Sequence, residues 1–305
     1  MNRHSALNVT SAFALMEGRT RREWKLTLET LRLIGVTWPD VESMTQANAW
    51  KWLGWDAARY REWLSALDIS RARCSGLRDS QISVISDLDE NAPSWLRKLP
   101  TVPWVVYEGE LSILDHITLG FSGQRDAGEA ALEITGSLGS EAARLGYTVV
   151  SGGARGIDMA AHVAVLEAGG ATAVILPQGL ETWNPPYALA NPDVSDRVLA
   201  ISEDVPWEAW NTESAMRRNR MIVDLSTIFT VPQAGTGGGS HSTARYALKQ
   251  GRVTFVPDLG PEYPGNRHLL QRNARLLEAT GGRFDLEQML AESIPAEEPR
   301  QSPLF

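Results

Sequence analysis

The stretch from Val149 to His162 constrains the fold more than any other. It reads Val-Val-Ser-Gly-Gly-Ala-Arg-Gly-Ile-Asp-Met-Ala-Ala-His. Residues 147–150 are β-prone, Ser151, Gly152 and Gly153 break the run, and helix-forming composition begins at Ile157. A strand, a glycine turn and a helix start, in that order, make the phosphate-binding corner of an α/β fold. The glycines let the backbone turn tightly and let a ligand approach its N–H groups. The helix N-terminus adds a partial positive charge and Arg155 a full one. The same residues also suit a tight turn that holds no ligand, so this stretch alone leaves both readings open.

The flanking pattern extends the argument. Apolar, β-rich runs at 117–121, 147–150, 173–176, 198–201, 227–231 and 253–256 predict strands. Helical composition lies between them, at 129–145, 157–168, 214–225 and 242–250. Strands separated by helices predict an α/β fold, a doubly wound and mostly parallel sheet covered on both faces. Ligands of such sheets bind at the carboxyl ends of the strands.

Those ends carry a shared chemistry. Ser122-Gly123-Gln124-Arg125 follows the first strand and Ser151 to Gly156 the second. Pro177-Gln178-Gly179 follows the third. Arg217-Arg218-Asn219-Arg220 opens a helix, and Gly235 to Ser240 follows the fifth strand, leading to Thr243 and Arg245. A rim of N–H groups, helix N-termini and arginines predicts an anion site large enough for more than one phosphate. Arg125 and Arg155 are each followed closely by an acid, Asp126 and Asp158, and surface ion pairing is the alternative for both. Asp224, four residues after Arg220, offers that arginine the same alternative. Asp158 and His162, also four apart, suit acid–base chemistry, but capping or bracing of their helix is favoured. His241 suits either base stacking or an ordinary loop role.

The net charge of −8 does not advertise nucleic-acid binding, so any such site is a local concentration of arginines on an acidic body. The single cysteine, Cys74, excludes an internal disulfide and fits a reducing cytoplasm. Five scattered histidines and no Cys or His cluster predict no metal site, and nothing predicts a cofactor. No apolar run reaches the roughly 18 residues of a membrane span, and residues 1–20 lack an apolar signal core.

Two domains flanked by two disordered ends are expected. Residues 1–20, polar and irregular, are expected to be poorly ordered. Residues 21–70 form a small helical domain; six of the 11 tryptophans fall there (Trp24, Trp38, Trp50, Trp52, Trp55, Trp63), and a core role is favoured over base stacking. Residues 71–292 hold an extended lead-in, with runs at 82–85 and 104–107, and the sheet domain. Residues 293–305, rich in Pro, Glu and Ser, form a disordered tail.

Taken together, Gly-Gln-Arg at 123–125, Ser-Gly-Gly-Ala-Arg-Gly-Ile-Asp from Ser151 with Ala161-His162, and Ser202-Glu203 make up the first half of a known motif order. Arg218-Asn219-Arg220-Met221-Ile222, Gly239-Ser240 with Thr243-Ala244-Arg245, Gly251-Arg252 and Gly265-Asn266-Arg267 continue it. The chain resembles the DprA/Smf DNA-processing proteins in this order of motifs, with a match over roughly residues 75–292. The helical N-terminus resembles that family's sterile-alpha-motif-like domain. The resemblance implies a Rossmann-like domain that binds single-stranded DNA without turnover, in DNA uptake by natural transformation, in recombination or in repair. It implies assistance in loading a RecA-type recombinase, a homodimer, and no membrane partner. By motif, the strand-binding residues are Gly123, Arg125, Ser151, Gly152, Arg155, Arg218, Arg220, Gly239, Ser240 and Arg245. Gln124 stands where the family usually has serine, and His241-Ser242 where aliphatic residues are usual.

Two other readings follow from the residues. A nucleotide sensor or processing enzyme is the rival, since the related phosphoribohydrolases carry a Pro-Gly-Gly-x-Gly-Thr-x-x-Glu loop. Gly235-Thr236 is present, but Gly239 stands where that pattern has its catalytic Glu, which argues against hydrolysis. The tail residues Gln301, Leu304 and Phe305 resemble the Gln-x-x-Leu-Phe motif that docks on the replication sliding clamp; chance is the alternative for five residues.

Overall fold

Valine, isoleucine and phenylalanine runs that are apolar on both faces need cover on both faces, and the chain supplies it by alternation. The computed structural model describes residues 3–77, 80–279 and 283–294. The expected residues of the clamp motif, Gln301, Leu304 and Phe305, lie outside the described residues, as does almost all of the expected tail.

In chain order, helices α1 (Arg3–Leu15), α2 (Arg21–Leu33), α3 (Trp38–Glu42), α4 (Gln46–Leu53) and α5 (Ala57–Cys74) come first. Strand β1 (Ser83–Ser86), the short helix α6 (Ser94–Arg97) and β2 (Trp104–Glu108) follow. The alternation then runs β3 (Thr118–Phe121), α7 (Glu129–Arg144), β4 (Thr148–Ser151), α8 (Ile157–Glu167) and β5 (Thr172–Leu176). After α9 (Tyr187–Ala190) come β6 (Val198–Ser202), α10 (Thr212–Leu225), β7 (Ile228–Thr230), α11 (Gly238–Lys249) and β8 (Thr254–Val256). The series closes with α12 (Pro264–Leu270), β9 (Arg275–Leu276) and α13 (Leu286–Ser293). The predicted α/β class, mostly parallel, is the observed one.

The chain divides into two compact units. Unit one takes the residues up to Asp115 and Thr172–Asp224; unit two takes His116–Ala171 and the residues from Leu225 onward. The boundary expected at residue 71 therefore does not separate two units, because α1 to α5 group with β1, β2, β5 and β6.

Within unit one, β1 pairs antiparallel with β2, β2 antiparallel with β6, and β6 parallel with β5. The helical part closes on an aromatic core. Phe13 stacks on Trp24 with ring centroids 4.2 Å apart, and Trp63 lies 5.0 Å from Phe13. Trp24, Trp38, Trp55 and Trp63 are buried, whereas Trp50 is exposed. The expected disorder of residues 1–20 is corrected here. Residues 3–15 are α1, and Ala6, Val9, Ala12 and Phe13 are fully buried in it. The sequence hides this because Ser5, Thr10 and Ser11 are buried alongside them. Thr10 donates its hydroxyl to the carbonyl of Ala6 at 2.8 Å, so a polar residue sits satisfied on an inner face.

Unit two is wholly parallel among its described pairings: β4 with β3, β3 with β7, β7 with β8, and β8 with β9. Strands β3, β4, β7 and β8 are buried along their whole length. Helices α7 and α8 pack on each other. Gly139 makes their approach close, since a Cβ there would stand 2.9 Å from that of Ala164. The one helix start that differs substantially from expectation is that of α11. It begins at Gly238 rather than near residue 242, so Gly239 and Ser240 sit in its first turn.

Candidate nucleic-acid interface

Three loops at the carboxyl ends of β3, β4 and β7 are locked together in unit two. The first lock is steric. A Cβ at Gly123 would overlap the side chain of Ile157, the first residue of α8. Gly156 has φ +84°, and a Cβ there would overlap the carbonyls of Gln124 and Arg125. Both positions need glycine for that reason. The N–H of Ile157 donates to the Gln124 carbonyl at 3.3 Å. The loop after β3 is thus seated on the start of α8.

The second lock is polar. The Gln124 main-chain N–H donates to the Gln233 carbonyl at 3.0 Å. The Gln233 side chain donates to Gln124 Oε1 at 2.6 Å and accepts from the N–H of Gly128, the N-cap of α7, at 2.8 Å. Behind this, buried Asn266 of α12 accepts from the N–H of Ala234 at 2.8 Å and donates to the carbonyls of Pro232 and Pro257, each at 3.0 Å. Gly265 allows the close approach, since a Cβ there would overlap the Ala234 and Gly235 carbonyls. Sequence reasoning missed Gln233 as a bridge and Asn266 as a clamp. No local signal marks Gln233, and Asn266 stood out only through its place in the Gly265-Asn266-Arg267 motif.

On this frame the predicted residues separate into groups. Arg125 is exposed and makes no hydrogen bond or ion pair among the described residues. Arg155 is 76% exposed and pairs at 2.6 Å with Asp126, itself 85% exposed. The acid that meets Arg155 is therefore in the neighbouring loop, not Asp158, which is buried and accepts from the Ala154 N–H at 3.4 Å. An ion pair this exposed contributes about 0–1 kcal/mol and is readily exchanged for another anion. Ser151 is fully buried and donates its hydroxyl to the Phe121 carbonyl at 2.9 Å, tying β4 to β3 rather than presenting the hydroxyl to solvent. Gly152 is buried beside it, and Gly153 takes a positive φ of 68° at the turn.

Gly239 and Ser240 occupy the first turn of α11, where backbone N–H groups have no intrahelical acceptor. Arg245 is exposed farther along the same helix. His241, considered above as a base-stacking residue, is 5% exposed and stacks instead on His268, centroids 5.2 Å apart. Its Nε2 lies 3.1 Å from His268 Nδ1, and Arg272 donates to His268 Nε2 at 2.8 Å. The arginine makes Nε2 of His268 an acceptor, so Nδ1 carries the proton and donates to His241. Burial first, then the neighbouring His268, Arg245 and Arg272, hold the His241 pKa below its ordinary value.

Arg218 and Arg220 belong to unit one. Arg218 is buried, so of the two only Arg220 is presented to solvent, and both have partners within the fold. Their neighbour Arg217 donates to Asp204 at 2.8 Å and to Glu213 at 2.9 Å. Arg21 joins the same Asp204. Burial pushes the carboxyl of Glu203 up, against the pull of Arg21 and Arg217.

Among the described residues no group of three or more His, Cys, Asp or Glu side chains is placed to hold a metal ion. No described helix is long and apolar enough to cross a membrane.

The motifs that build these loops fall inside a family match. The model of the family described as DNA recombination-mediator protein A covers residues 83–285. The chain belongs to that family. It is 38% identical over 179 residues to the protein Smf of Escherichia coli, across 56% of this chain and 47% of that protein, so the match spans about half of that relative. The solved structure of DNA processing protein A from Streptococcus pneumoniae superposes with a TM-score of 0.72 over 96% of this chain and 99% of that one, at 23% identity. That likeness is one of fold, and agrees with the Rossmann-like expectation. DNA processing protein A from Helicobacter pylori superposes with a TM-score of 0.59 over 70% of this chain and 95% of that one, at 25% identity. That structure was determined to describe the Helicobacter protein's mode of binding single-stranded DNA.

Proposed function

We propose that this member of the family binds single-stranded DNA at the joined loops of unit two and performs no chemistry on it. The observation that carries the reading is Arg125, a solvent-exposed cation without a partner among the described residues, on a loop hydrogen-bonded to the N-terminus of α8. Arg155 is held nearby by an exposed carboxylate that a phosphate can replace. N–H groups in the first turn of α11, which no side chain caps among the described residues, extend the same chemistry, with Arg245 beyond them. Gly123 lets the loop after β3 approach α8, Gly152 is buried in the turn, and the Ser151 hydroxyl ties β4 to β3; all three support the loops rather than meet the strand. Arg220, exposed in unit one, and Arg218, buried there, are carried over by motif alone and form no part of the unit-two loops.

The Helicobacter relative's binding of single strands supports the choice of ligand. A phosphoribohydrolase activity lacks its carboxylate, because Gly239 holds that place in α11. With single strands as cargo, the proposal includes action in DNA uptake, recombination or repair in the cytoplasm, as a homodimer, with delivery to a RecA-type recombinase.

Two assays run side by side test it. Gel shift with an unstructured oligonucleotide is expected to show a complex, and thermal shift against mono- and dinucleotides is expected to show no rise in Tm. A nucleotide-dependent rise without any gel shift overturns the reading in favour of a ligand sensor.

A further inference from the structure

Resting on the single-strand reading, one more side chain at this site has a determined orientation. The main-chain N–H of Gly128 is a donor with no choice of role. Its 2.8 Å contact with the Gln233 side-chain amide makes that end of the amide the oxygen. The other end is NH2 and donates 2.6 Å to Gln124, so the end of Gln124 that receives it is Oε1. The NH2 of Gln124 therefore faces away from Gln233. It has no hydrogen-bond partner among the described residues. It lies against Gly235, where a Cβ would stand 3.1 Å away, so the glycine leaves it uncovered. Gln124 is partly exposed, whereas Gln233 is 5% exposed and fixed. The main chains of the two residues are also bonded, at 3.0 Å.

We propose that Gln124 contacts the bound strand, its side-chain NH2 donating to an acceptor oxygen, with Gln233 as the positioning residue that aims it. The acceptor is an oxygen of a phosphodiester or of a base carbonyl. A neutral donor here adds reach without charge, between arginines that neutralise the backbone.

Fluorescence anisotropy on the full chain tests the assignment, with oligothymidylate and an abasic strand of equal length as probes. Gln124→Met keeps size and removes the donor; affinity is expected to fall roughly threefold to tenfold. The slope of affinity against salt is expected to stay at the wild-type value, since a neutral donor displaces no counterion. Loss on both probes identifies a phosphodiester oxygen, and loss on oligothymidylate alone a base oxygen. Gln233→Glu accepts from both Gly128 and the Gln124 NH2, turning the Gln124 carbonyl outward. It is expected to weaken binding in the wild-type background and to add no loss to Gln124→Met. An undiminished second loss overturns the role given to Gln233. Wild-type affinity in Gln124→Met overturns the whole inference, while Arg125→Ala in parallel reports on the site itself. If Arg125→Ala weakens binding and Gln124→Met does not, the single-strand reading stands and only this assignment fails. If neither variant has an effect, the site is elsewhere. Should Gln124→Met not fold, the wild-type Gln124 side-chain NH2 resonance is expected to shift on adding oligothymidylate, and an unmoved resonance overturns the proposal.

Discussion

In unit one three cations, Lys25, Arg21 and Arg217, lie against buried carboxylates. Lys25 reaches Asp87 at 2.5 Å with both side chains less than a tenth exposed, and Arg21 and Arg217 converge on buried Asp204. In unit two the cations at the strand ends face outward: Arg125 is exposed and Arg155 meets only an exposed partner, and Arg245, farther along α11, is exposed too. The strands differ in parallel with this. Unit one carries antiparallel pairings, whereas the described pairings of unit two are all parallel, so the exits of β3, β4 and β7 gather at one end. An arginine after a parallel strand and a glycine is thus poised for a ligand. An arginine within a helix facing buried acids is part of the scaffold.

The largest way to break that contrast is Lys25→Met. It leaves Asp87 buried without its cation, and about 3–5 kcal/mol of stability is expected to be lost in denaturant unfolding. Single-strand affinity of the folded protein is expected not to change. Next is Gly156→Ala, which demands a positive φ of an L-residue and drives a Cβ into the Gln124 and Arg125 carbonyls. It is expected to cost about 3 kcal/mol by unfolding and, unlike Lys25→Met, to weaken DNA binding as well.

These two sites differ in how far the sequence reveals them. The strand, glycine and helix pattern around Ser151 predicted β4 and α8 closely, because turn chemistry is local. The exposed placement of Arg125 and Arg155 in the loops after β3 and β4 was legible for the same reason. Helix α1 was not, because its buried face carries Ser5, Thr10 and Ser11, whose hydroxyls are satisfied only once the helix exists. The α11 start was missed because Gly238 and Gly239 are poor helix formers that tertiary context overrides. The pairing of Arg155 with Asp126, 29 residues away, joins two separate loops, and no spacing announces it.

A smaller effect sharpens the comparison from the ligand side. Asp126→Asn removes the charge that holds Arg155 and is expected to raise single-strand affinity about twofold to threefold in anisotropy, with stability nearly unchanged. Lowered affinity instead would mean that Asp126 aims Arg155 rather than competes for it.

The smallest effect concerns pH. The His241 pKa lies below its ordinary value in the fold, first through burial and then through His268, Arg245 and Arg272. The unfolded chain therefore takes up this proton before the folded one. Stability is expected to fall as pH drops through 6.5, and to be retained above it. His241→Phe is expected to flatten that decline in Tm measured between neutral and mildly acid pH; an equal decline in the variant removes His241 as its source.

The most direct measurement is the salt dependence of single-strand affinity in the wild type and in Arg125→Ala/Arg155→Ala. Both arginines lie in exposed loops, so the melting temperatures are expected to agree. Each lost phosphate contact is expected to reduce the slope of log affinity against log salt by about 0.7, giving a flatter line for the double variant together with weaker binding. Equal affinities and equal slopes would contradict the account, because the strand would then be held somewhere other than the joined loops of unit two.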